Sequence, residues 1–123
     1  MGQWPETLPG LNIQRALKQL ADKRHLFLRL LQMFMDGHSH DVARINVAIK
    51  DGDWQQAYEV NHALKGVSGN IGATGLHELC CQLDKRLKQD DHEVEDCLED
   101  MHHAMEELLD SLQIALQLPA DEL

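Results

Sequence analysis

His62-Ala63-Leu64-Lys65-Gly66-Val67-Ser68-Gly69-Asn70-Ile71-Gly72-Ala73 is the stretch around which the rest of this 123-residue chain is organised. Ala57, Val60, Asn61, Leu64, Val67, Ser68 and Ile71 recur at three- and four-residue steps, which predicts a helix with one core-facing stripe. His62 lies two positions from Leu64, about 200° around that helix, so it faces away from the stripe. Tyr58 and Glu59 stand one turn before it, Lys65 and Gly66 one turn after, and Gly69 beyond. The pattern is one exposed imidazole, one cation a turn away, and a strip beside it without side chains.

Glycine within a helix costs about 0.5–1 kcal/mol relative to alanine. Gly66 and Gly69 both fall on the histidine face. One use for that cost is close approach of another molecule to the imidazole. The other is close packing of a neighbouring helix of the same chain. The spacing favours the first use for both glycines.

The stretch resembles the motif of the histidine phosphotransfer (HPt) domain family: His-x-Leu-Lys-Gly, small residues, then a closing Gly-Ala. Here these are His62, Leu64, Lys65, Gly66 and Gly72-Ala73. The resemblance extends from Leu8-Pro9-Gly10-Leu11 through Gly52-Asp53-Trp54 to the last predicted helix. It implies a helical bundle that carries a phosphoryl group on His62, between response-regulator receiver domains of a two-component phosphorelay. It also implies a hybrid sensor histidine kinase as parent or partner, and a cytoplasmic setting. In many members a Gln or Glu on the following helix approaches the histidine. The matching position is Asp84, one methylene shorter than Glu.

Composition sets the frame. A chain of this length fits one domain, with 1–10 as a linker or arm, 11–118 as the bundle and 119–123 as a tail. Hydrophobic residues make up 43% but aromatics only 4%, so the core is aliphatic, which suits helix packing. The formal charge of −10 argues against nucleic acid and against anionic membrane surfaces. The most apolar run, Leu26 to Met35, is broken by Arg29 and Gln32 and is too short to span a bilayer. Cys80, Cys81 and Cys97 form no CxxC pair, and a reduced cytosolic setting accounts for them most simply.

Along the chain, Leu11–Ala21 reads as a short helix, and Asp22 as the cap of a second that runs to about Asp36. Gly37-His38-Ser39-His40 reads as its break. Val42, Ile45 and Ile49 mark a third helix over 41–50. Gly52 suits a left-handed turn and Asp53 a cap for the motif helix. Gly72 ends that helix and Thr74 caps the next, whose stripe is Leu76, Leu79, Cys80, Leu83 and Leu87. The last helix, from about His92 to Leu116, turns Val94, Leu98, Met101, Met105, Leu108 and Leu112 inward. No strand-like alternation is visible. Short turns between long amphipathic helices predict an all-α fold: an antiparallel bundle of the last four helices, with short N-terminal helices covering one side or end.

Rival chemistries are weaker. His77 and Cys81 have a chelating spacing, but no third or fourth ligand has zinc-like spacing. Met33, Met35, Met101 and Met105 read as core rather than a cofactor pocket. The chain shows no nucleotide-binding motif, so the expected role is a relay without kinase activity and without a bound cofactor. Mg²⁺ is expected from the receiver. In that role His62 is the phosphoacceptor, Lys65 offsets charge, and Gly66, Gly69 and Asp84 shape the approach. The competing function is a non-catalytic helical scaffold in which His62 is incidental.

Overall fold

The computed structural model describes residues 3–120. The described residues form strands β1 (Thr7–Leu8) and β2 (Leu11–Asn12), then helices α1 (Ile13–Gln19), α2 (Arg24–His38), α3 (Asp41–Lys50), α4 (Trp54–Asn70), α5 (Thr74–Lys88) and α6 (Glu95–Ala115). Helix α4 packs on α3 and α5, and α6 closes the ring against both. The last four helices are therefore the bundle, as the spacing predicts, with α2 laid on α6 and α1 on α2.

The amphipathic stripes meet at one aliphatic centre. Leu64, Leu76, Leu83, Met101, Leu108 and Leu112 are fully buried there. Phe27 and Phe34, the only phenylalanines in the chain, both lie on α2 and cover the bundle. Met33 departs from its reading as core: it is 59% exposed, because it turns away from the α2 stripe of Phe27, Leu31 and Phe34.

The ends of the helices carry the other differences. Asp53 accepts from Gln56 N at 3.0 Å and caps α4 as read. Asp22 does not cap α2. It follows Ala21 into the left-handed region (φ 59°), where Asp22 N closes α1 on Leu17 O, and Lys23 takes the cap position without a side-chain bond. Gly37 does not break α2, which continues to His38 because no positive φ is demanded there. Thr74 is the first residue of α5, with Ala73 at the cap.

Residues 4–12 lie on the bundle. Thr7 pairs with Asn12 and Leu8 with Leu11, a ladder of two residues per strand, too short to register as alternation. Pro9-Gly10 forms the turn, with Gly10 at φ 74°. Trp4 Nε1 donates to Pro119 O and its ring lies 6.0 Å from Phe27. Leu11, read as helical, lies in β2 yet is buried as expected. Residues 121–123 of the predicted tail and 1–2 of the arm fall outside the described residues.

Gly72 is where the hairpin meets the bundle. Its φ is +81°, its carbonyl accepts from Asn12 N at 2.8 Å, and an added Cβ would stand 2.5 Å from Asn12 O. Gly52 has a similar φ (+74°) but open space around it. A left-handed alanine costs about 1–3 kcal/mol. Gly72→Ala should therefore lower the melting temperature clearly more than Gly52→Ala, since it also forces β2 off the α4–α5 turn. Equal losses in thermal unfolding would show that the Asn12 contact contributes nothing.

Candidate functional site

Helix α4 buries Ala57, Val60, Asn61, Leu64 and Ser68, and by the same rotation leaves His62 outward with its side chain 59% exposed. Tyr58, one turn earlier, stacks on the imidazole at 5.7 Å with an interplanar angle of 21°. Asp84 arrives from α5. It is 5% exposed, and its Oδ1 lies 3.7 Å from His62 Nδ1. That distance exceeds a hydrogen bond, and Oδ1 has no other partner. The shorter side chain thus reaches the histidine's vicinity without bonding to it.

The other oxygen is crowded. Lys65 Nζ lies 3.3 Å and Lys88 Nζ 3.1 Å from Asp84 Oδ2. Burial pushes the Asp84 pKa up, but bonds and charge from Lys88 and Lys65 outweigh it and hold the carboxyl below its ordinary value. In return Asp84, through its bond and its charge, raises the Lys88 ammonium above its ordinary value, with Tyr58 adding to the effect. Two cations and one anion therefore border one flank of His62. Lys88 and Tyr58 are members of the site that the motif alone does not reveal. The available signal for Lys88 was its position four residues after Asp84 on a predicted helix.

The two glycines separate. A Cβ added at Gly66 meets nothing within 4 Å, so the second flank of His62 is open. A Cβ at Gly69 would stand 3.1 Å from the His77 ring. Gly69, read from the sequence as part of the access strip, instead makes room for an internal neighbour. His77 Nδ1 bonds Lys65 O at 2.8 Å, which holds the ring in that notch. His77 Nε2 and Cys81 Sγ lie 3.6 Å apart, and the described residues contain no cluster of three or more groups that could hold a metal ion.

An exposed imidazole, a buried carboxylate beside it and two flanking lysines suit a transient phosphoryl carrier. The model of the Hpt domain family matches residues 29–119. This chain belongs to the Hpt domain family. Its role is phosphotransfer in a two-component phosphorelay, a setting in which Hpt domains work with response-regulator receiver domains. Among solved structures, the HPT domain of an Hpt sensor hybrid histidine kinase from Shewanella superposes with a TM-score of 0.82 at 23% identity, covering 89% of this chain and 96% of that one. That likeness is one of fold. No curated protein sequence gives a match. No helix among the described residues is long and apolar enough to cross a membrane.

Two outcomes follow from this geometry. Gly66→Ala should hold or raise the melting temperature, by up to about 1 kcal/mol of helix propensity. Gly69→Ala should melt below it, because its methyl group pushes against His77. A Gly69 variant as stable as the Gly66 variant would mean that the ring yields freely.

The second outcome concerns pH. The folded Asp84 pKa lies below its ordinary 3.8. Its contribution to stability is present above the unfolded value and is lost as pH falls through the lower folded value. The melting gap between the parent and Asp84→Asn should therefore be wide at neutral pH and close below about pH 4. A gap independent of pH would refute the Lys65–Asp84–Lys88 account.

Proposed function

We propose that His62 is the phosphoacceptor, taking a phosphoryl group from an aspartyl phosphate on one receiver and yielding it to an aspartate on another. The observation that carries this is the placement of the imidazole: outward, with Nδ1 turned to the buried carboxylate and the Gly66 side open. A proton on Nδ1 facing Asp84 leaves the Nε2 lone pair toward solvent. Nε2 attacks phosphorus as the P–O bond to the donor carboxylate breaks. The Nδ1 proton stays, so the phosphorylated ring is a cation, which the Asp84 charge stabilises. In the return step the acceptor carboxylate attacks phosphorus, the N–P bond breaks, and neutral imidazole leaves.

Phosphoryl transfer asks for positioning and charge neutralisation more than covalent machinery. Lys65 and Lys88 supply that charge from Asp84 Oδ2, on the carboxylate whose other oxygen lies 3.7 Å from His62 Nδ1. Mg²⁺ and an acidic pocket are left to the receiver. In this reading the domain has no kinase activity of its own and works in the cytoplasm, free-standing or within a hybrid sensor kinase.

Incubation with a panel of phosphorylated receiver domains tests the assignment. Label should appear on the chain, be lost in acid, and disappear in His62→Gln, whose stability should stay within about 0.5 kcal/mol of the parent. Labelling of the variant equal to the parent refutes His62. Mg-ATP alone should leave the protein unlabelled.

The open flank gives a further outcome. Gly66→Leu should keep or raise the melting temperature while transfer falls, because the side chain enters space that only a docked partner fills. Full transfer at unchanged stability would remove this flank from the docking surface.

A further inference from the structure

The relay chemistry makes no use of His77 and Cys81, although both border its site. Helix α5 carries His77, Cys81, Asp84 and Lys88 at steps of four, three and four residues, which places them along one face. His77 Nδ1 lies 2.8 Å from Lys65 O. A carbonyl only accepts, so Nδ1 carries the proton and Nε2 presents its lone pair. That lone pair is 3.6 Å from Cys81 Sγ. A thiol, an imidazole within its reach and a third group that orients the imidazole is the arrangement of an activated nucleophile. Its seating is built into the fold, since the His77 ring occupies the notch left by Gly69.

The other two thiols are buried. Burial pushes Cys80 up to about 12, and burial also raises Cys97. Cys81 is exposed.

We propose that Cys81 and His77 form a thiol-modification site for low-molecular-weight disulfides, and that the adduct closes the docking face around His62. The Cys81 proton passes to His77 Nε2. The thiolate sulfur attacks one sulfur of the disulfide, a new S–S bond forms as the old one breaks, and the departing thiolate takes the proton back from His77. Cys81 is three residues from Asp84 on α5, about 5–6 Å between their Cβ atoms. Asp84 in turn approaches His62 to 3.7 Å. A tripeptide attached at Cys81 therefore overlaps the surface that a receiver must cover. This consequence rests on the assignment of His62 as the phosphoacceptor.

The probe is oxidised glutathione on the full chain, with adducts located by mass spectrometry after digestion. Cys81 should be modified ahead of Cys80 and Cys97. His77→Gln, a change at a half-buried position, should slow the reaction about threefold or more, since the attacking thiol then has no proton acceptor within reach. The modified chain should lose phosphoryl acceptance and regain it on reduction. Cys81→Ser should accept phosphoryl groups equally before and after treatment. No preference for Cys81, an unchanged rate in His77→Gln, or full acceptance by the modified chain would each overturn the proposal. Failure of the relay assignment shows separately, as an untreated chain that takes no label while adduct rates are still read by mass.

Discussion

A carboxylate that is 5% exposed has to be compensated, and in this protein that requirement shapes the site. Asp84 sits where α5 leans on α4. Lys65 comes to it from α4 and Lys88 from its own helix, and both settle on Oδ2. The pairing ties two elements of the bundle at the level of His62. It also leaves Oδ1 as a negative edge without a partner, turned toward the one exposed imidazole of the motif. The cations near the histidine are thus explained by the folded state that needs them.

His62 consequently has two unlike flanks. On the α5 side lie a carboxylate, two ammonium groups and the stacked Tyr58. On the other side Gly66 leaves bare backbone. A partner that approaches the imidazole meets charge on one side and space on the other, an arrangement suited to a group held briefly and handed on.

Most departures from the sequence reading lie at helix ends, and their causes are local. Asp22 has the residue type of a cap but is drawn into the left-handed closure of α1. Thr74 lies one residue past the cap position, because Gly72 and Ala73 complete the turn. Gly37 continues a helix that composition suggested it would end. In each case residue type offered several outcomes, and the neighbouring turn selected one. Gly69 shows the same limit at the site: two glycines on one face look alike in sequence, and only the neighbouring helix distinguishes them.

The sequence by itself determined the helices, their core stripes and the outward direction of His62. Each follows from a period of 3.6 residues and the burial of apolar side chains, which a local window contains. It also carried the family motif, down to the glycine at position 72 that lets β2 approach. Tertiary structure alone decided which groups meet across α4 and α5: Lys65 on the carboxylate oxygen that Lys88 reaches from the same helix, the 3.7 Å gap from Asp84 to His62, and the His77 ring in the Gly69 notch. Those distances depend on the register of one helix against another. That register is set by the packing of the whole core, and no stretch of the chain encodes it alone.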